Sequence, residues 1–122
     1  ASPLPNEYLF KNINTIEKNS DKQHIWRKNY NRYLKDYQDL FKLFNCYIYI
    51  LNPSWKNVIS WKYKQELKLR SQKSNLKLLS KLKEFIMYYE KITRWMMKTS
   101  KLNSNILIKV DKYQKFQKII YK

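Results

Sequence analysis

Few residues in this chain could do covalent or acid–base chemistry. His24 is the only histidine and Cys46 the only cysteine. A nucleophile–base dyad needs its two members within hydrogen-bond reach. On one straight helix their 22-residue separation would hold them about 33 Å apart, so no dyad is expected. Asp36 and Asp39 lie one helical turn apart, a spacing that suits a metal or a shared proton. Arg32 and Lys35 come a turn before them and Lys42 follows, which describes a solvated, ion-paired face instead. The other carboxylates, Glu7, Glu17, Asp21, Glu66, Glu84, Glu90 and Asp111, are scattered. The expectation is a non-catalytic chain with no metal and no cofactor.

The chemistry of recognition is better represented. Trp26, Trp55, Trp61 and Trp95 join 11 tyrosines and 5 phenylalanines. Trp26 and Trp95 sit on strong apolar stripes and are expected in the core. Trp55 and Trp61 flank the Pro53 turn and, six residues apart, cannot share a helix face. One of them is a candidate anchor on an exposed surface. Beside them lie Lys62, Lys64 and Lys68, with Glu66 the only acid in that segment. Near the C-terminus Lys112, Lys115 and Lys118 or Lys122 would line one side of a helix. The expected partner-binding set is therefore Trp55, Trp61, Lys62, Lys64, Lys68, Lys112 and Lys115. Such faces attract phosphates, anionic lipid or acidic protein segments.

The elements that would position these residues follow from hydrophobic spacing. Leu9, Ile13 and Ile16 predict a short leading helix over 6–18. Ser20 and Gln23 read as a capping box, opening a helix over 20–51 whose stripe is Trp26, Tyr30, Tyr33, Tyr37, Leu40, Phe44 and Tyr47. Asn52-Pro53 stops it. A weaker stripe predicts a helix over 54–72, and Leu78, Leu82, Phe85, Ile86 and Tyr89 predict another over 75–99. The run Ile106-Leu107-Ile108-Lys109-Val110 is strand-like in composition. With no partner strand visible, a last helix over 105–121 is preferred. The expectation is one all-α domain over 1–122, a small antiparallel bundle with a short leading helix and three to four longer ones.

Composition supports that choice. The 122 residues contain no glycine, which excludes glycine-rich phosphate loops and Asn-Gly hairpins. One cysteine excludes an internal disulfide framework. The formal net charge is +17, from 26 Lys+Arg against 9 Asp+Glu. Abundant Lys, Asn, Ile and Tyr with scarce Gly, Ala and Pro is also what AT-rich codons produce, so part of this charge needs no function. No apolar run is long enough to span a membrane, and residues 1–5 do not form a signal sequence.

The order of features resembles the PHIST family, a helical domain of exported malaria-parasite proteins. The likeness rests on Ile25-Trp26, Tyr37-Gln38-Asp39-Leu40-Phe41-Lys42-Leu43, Asn52-Pro53-Ser54-Trp55-Lys56, Trp61-Lys62-Tyr63-Lys64-Gln65-Glu66-Leu67 and Lys91-Ile92-Thr93-Arg94-Trp95-Met96. It implies a helical interaction module exported to the host erythrocyte. The implied partners are membrane-skeleton proteins or the acidic cytoplasmic tail of the variant surface adhesin. A basic nucleic-acid binder, such as an organellar ribosomal protein, and an anionic-lipid-binding helical domain are the alternatives. Only four of the basic residues are arginines, which weighs against nucleic acid.

Overall fold

The computed structural model describes residues 1–122 and corrects the all-α expectation. Helix makes up 57% of the chain and strand 12%. The order is α1 (Asn6–Phe10), α2 (Thr15–Asn19), α3 (Ile25–Phe41), β1 (Ile48–Leu51), α4 (Trp55–Leu69), α5 (Leu76–Asn103), β2 (Ile106–Val110) and β3 (Phe116–Tyr121). Parallel β1–β2 and antiparallel β2–β3 pairs form a three-stranded sheet with β2 in the centre.

The helix expected over 105–121 is instead a hairpin. Ile106, Ile108, Val110, Ile119 and Ile120 are β-branched and suit a pleated surface. Asp111 supplies the turn that glycine would otherwise make. Its Oδ1 accepts the N–H groups of Tyr113 and Lys115 at 2.8 and 3.0 Å, and its carbonyl accepts from Gln114 at 3.0 Å. Gln114 follows in the left-handed region at φ 61°. A turn of this kind closed by one left-handed residue is a common three-residue hairpin connection.

The helix expected over 20–51 ends at Phe41, and Ile48–Leu51 pairs with β2 as a strand. Ser20 does not cap it; Ser20 terminates α2, its N–H donating to Ile16 O at 2.8 Å. Asp21 caps α3 instead, accepting from the N–H groups of Trp26 and Arg27 at 3.0 and 3.3 Å. His24 stacks on Phe10, with ring centroids 4.7 Å apart. Cys46 lies exposed in the α3–β1 connection, so the straight helix that was to separate the two residues does not exist. The leading helix over 6–18 is two five-residue helices split by residues 11–14.

Helices α4 and α5 occupy the segments expected at 54–72 and 75–99, and α5 runs on to Asn103. They form an antiparallel pair around Leu67, Leu78 and Leu82, with Tyr63 packed alongside. Asn75 caps α5 by accepting from Leu78 N–H at 3.0 Å, and its own N–H donates to Tyr63 Oη at 2.9 Å.

The N-terminal half is held differently. Helix α3 turns its polar side inward, burying Arg27 and Asn31 and leaving Trp26, Tyr33 and Tyr37 exposed. Arg27 and Lys91 are both 0% exposed. Arg27 Nε pairs with Asp21 Oδ2 at 2.9 Å, and its other nitrogens donate to the carbonyls of Leu9, Glu17 and Asp21. Lys91 Nζ lies 3.4 Å from Glu17 Oε1 and donates to the carbonyls of Tyr8 and Lys11. Asn31 accepts from Leu4 N–H at 2.7 Å and donates to Leu4 O at 3.0 Å. Residues 1–21 are thus clamped to α3 and α5 largely through their own backbone. Every strong donor in the cluster has a carbonyl or carboxylate to meet, the condition for burying charge at tolerable cost.

The ionisation of these groups follows. Burial works to raise the Asp21 carboxyl, but the Trp26 and Arg27 hydrogen bonds together outweigh it and hold the group below its ordinary range. Burial pulls Lys91 down, and Glu17 restores only part of that. Burial also pushes the Tyr30 phenol upward. Its hydroxyl is buried without a partner.

Candidate functional site

Side chains alternate across a strand, so the register sorts the sheet into two faces. Tyr49, Leu51, Leu107, Lys109, Lys118 and Ile120 share one face. Leu107, at 2% exposure, is the most buried residue of the sheet, which marks this face as the inner one. Ile48, Ile50, Ile106, Ile108, Val110, Phe116, Ile119 and Tyr121 share the other. All eight are apolar or aromatic and none is charged; the polar Gln117 falls at the register shift between Phe116 and Lys118. Ile48, Ile50, Phe116 and Tyr121 are 60, 61, 66 and 71% exposed.

The size of this face matters. Together with Ile119, those four present roughly 600 Å², taking about 200 Å² as the full area of a large apolar side chain. That equals the largest patches of ordinary monomers, about 300–600 Å², and approaches the roughly 800 Å² per partner of a standard protein interface. The whole chain exposes 8987 Å², while a compact monomer of 15.2 kDa exposes about 7,100 Å². The chain therefore exposes more surface than a compact monomer of its size, and the outer face of the sheet is part of it.

Lysines surround the face without entering it. Lys112 and Lys115 lie in the hairpin turn, and Lys122 follows β3. Lys109 and Lys118 sit directly opposite each other on the inner face, a like-charge pair that destabilises a ladder unless an anion is near. Neither forms a salt bridge with Asp or Glu, whereas Lys62 pairs with Glu66 at 3.2 Å.

The predicted binding residues are only partly brought together. Trp61 is half-buried, and its indole N–H donates to Lys112 O at 2.7 Å, tying α4 to the hairpin turn. Trp55 is also half-buried, with the Arg94 guanidinium 5.8 Å above its ring. Both tryptophans therefore fasten α4 to its neighbours. Lys64 and Lys68 are exposed on α4. Lys112 and Lys115 lie in a turn, not along one side of a helix; Lys112 Nζ stands 5.1 Å from the Tyr113 ring. Trp26, expected in the core, is 39% exposed. Its indole N–H donates to Tyr88 O at 3.2 Å, and its ring meets Tyr30, Tyr88 and Tyr89 edge-on.

The residues missed are those of the sheet face. Their signal was present in the β-branched run at 106–110 and in Ile119-Ile120, each within reach of an aspartate able to turn the chain. Comparison with protein families, curated proteins and solved structures finds no match to this chain. No helix is long and apolar enough to cross a membrane.

Proposed function

We propose that this chain is a non-catalytic protein-interaction module whose partner offers an apolar surface bordered by carboxylates. The observation that carries the reading is the uncharged sheet face of eight apolar side chains on a chain of net charge +17. The division of labour is physical. Lysines around the face raise the encounter rate with an acidic partner and orient it. The isoleucines and aromatics then supply the contact area that slows dissociation.

A second reading has its own support. On α3 the exposed Trp26, Tyr33 and Tyr37 alternate with Lys28, Arg32 and Lys35, and Arg32 lies 5.4 Å from the Tyr33 ring. Aromatics interleaved with cations make a stacking platform for single-stranded nucleic acid.

One titration separates the two. A fluorescent peptide of alternating glutamate and valine, a single-stranded RNA of equal charge and anionic vesicles are each titrated with the chain at two salt concentrations. The expected result is peptide binding that survives at higher salt and weakens about tenfold, 1.4 kcal/mol, in the Ile119→Asn/Tyr121→Asn variant. Tighter RNA or vesicle binding with a steep salt slope, unchanged in that variant, would overturn the reading.

A further inference from the structure

Strand β3 is an outer strand and pairs only with β2. Five of its six residues are exposed. The phase of its ladder is fixed by Lys122 N–H donating to Asn105 O at 2.9 Å. Residues of an antiparallel pair alternate between bonding inward and facing away. With Lys122 bonded inward, Ile120 and Lys118 are too, and the N–H and C=O groups of Ile119 and Tyr121 point away from β2. The other side of β2 agrees. Ile106, opposite Tyr121, donates its N–H to Tyr47 O at 3.1 Å, toward β1.

Natural edges are usually blunted by lysines or bulges. Here the register shift lies at the Lys109/Val110 end, so the stretch from Lys118 to Lys122 stays regular. The side chains along it alternate in character. Lys118 and Ile120 share the inner face, and Ile119 and Tyr121 belong to the uncharged outer one; Lys122, one residue past the strand, turns its ammonium to the Lys101 carbonyl. A strand laid beside β3 would meet the Lys118 ammonium on one side and apolar groups on the other. A second copy's β3 would bring lysines against lysines, which like-charge cross-strand pairing disfavours. An acidic segment reverses that sign.

We propose that β3 accepts an extended partner segment as a fourth strand. The segment carries acidic residues at alternate positions, one of which faces the exposed Lys118, and the apolar residues between them continue the outer face beyond Ile119 and Tyr121. Main-chain bonds to Ile119 and Tyr121 supply affinity, and the alternation supplies selectivity. The proposal rests on the protein-interaction reading above and adds the chemistry and conformation of the partner.

The test uses the full chain and a labelled nine-residue peptide alternating glutamate and valine. Ile119→Pro removes the outward N–H but leaves the β2 ladder bonds, a position where an edge strand tolerates proline. It is expected to weaken binding about tenfold or more with unchanged circular dichroism. Two N-methylated peptides, one methylated at the glutamate amides and one at the valine amides, probe the same edge with the chain unaltered. One of the two should lose binding and the other keep it, because only one set of amides faces β3. Replacing glutamate by lysine in the peptide should abolish binding. If Ile119→Pro disturbs the fold, the N-methylated pair decides alone. Binding that ignores Ile119→Pro and both methylation patterns overturns strand addition while leaving the interaction module standing. A peptide that does not bind overturns strand addition as well, and if RNA binds in its place the module reading falls with it.

Discussion

The two ends of this molecule invert the usual distribution of polarity. The contact between the N-terminal segment and helices α3 and α5 buries Glu17, Asp21, Arg27, Asn31 and the Lys91 of α5, while the sheet turns eight apolar side chains outward. A buried charge is tolerable only with every partner in place, so the first arrangement specifies one docked position for residues 1–21. A bare apolar face needs no fixed partner within the chain and stays free for another molecule. One region therefore fixes structure with groups that normally seek water, and the other exposes the groups that normally avoid it.

The sharpest way to break this contrast is to remove the centre of the buried cluster. Arg27→Ala leaves the Asp21 and Glu17 carboxylates and three carbonyls without their guanidinium. Breaking a buried pair from one side costs about 3–5 kcal/mol, a large share of a small domain's stability. Urea denaturation should show that loss. A change below about 1 kcal/mol would mean that the N-terminal segment is not clamped as described.

Acid should attack the same region. The Asp21 carboxyl is held below its ordinary value in the fold, so the folded state takes up its proton less readily than the unfolded chain. Its contribution is present above the unfolded value and is lost as pH falls through the lower, folded one. Stability measured from pH 6 down to pH 2 should fall in this chain. In Asp21→Asn it should start about 1–3 kcal/mol lower, because the charged hydrogen bonds are gone, and fall less. Parallel acid limbs in the two proteins would assign the loss to other carboxylates.

Trp26 marks the border between the regions. A fully buried tryptophan costs about 3–5 kcal/mol on truncation to alanine. With 39% of it exposed, Trp26→Ala should cost about half as much, roughly 2 kcal/mol, by thermal denaturation. A loss at the full value would place α3 more deeply against α5 than its Tyr88 and Tyr89 contacts indicate.

The border also shows what could be read in the residues beforehand. The α4–α5 pair was legible because Leu78, Leu82 and Ile86 repeat cleanly and Asn75 stands where a cap belongs. The direction of α3 was not. Trp26, Tyr30, Tyr33 and Tyr37 form a stripe that hydrophobicity alone turns inward, but residues 1–21 present carbonyls and carboxylates that only the Arg27–Asn31 side can satisfy. Tertiary pairing overrode the moment of the helix. The sheet escaped notice for a different reason. In so aromatic a chain, helical spacing from Phe44 through Leu51 arises without a helix, and β1 is four residues long. The glycine-free hairpin is turned by Asp111. Of the expected binding residues, Lys112 and Lys115 do flank the candidate face, while Trp55 and Trp61 carry packing.

Absence of glycine gives a smaller effect of opposite sign. His24, Ser71 and Gln114 all hold positive φ, at 61, 52 and 61°. A side chain in that region costs about 1–2 kcal/mol that glycine avoids, offset in part by glycine's greater freedom when unfolded. Gln114→Gly, in an exposed turn, should raise stability by roughly 0.5–1 kcal/mol without altering binding. An unchanged or lower melting temperature would show that Gln114 contributes a contact worth its strain.

The smallest expected change in stability is on the sheet face itself. Ile48→Thr keeps a β-branched side chain suited to a strand and exchanges the exposed ethyl arm for a hydroxyl that water can satisfy. Ile48 faces solvent, and its cross-strand neighbour Ile106 keeps its packing against β3 through Tyr121. Surface changes of this kind stay within about 0.5 kcal/mol, so the denaturation midpoint should hardly move. In the buried cluster a single missing group is costly because nothing replaces it; on this face water replaces what is lost. If Ile48→Thr instead destabilised the chain by 2 kcal/mol or so, the outer face would already be covered within the isolated molecule. The contrast between a closed polar end and an open apolar one would then fail.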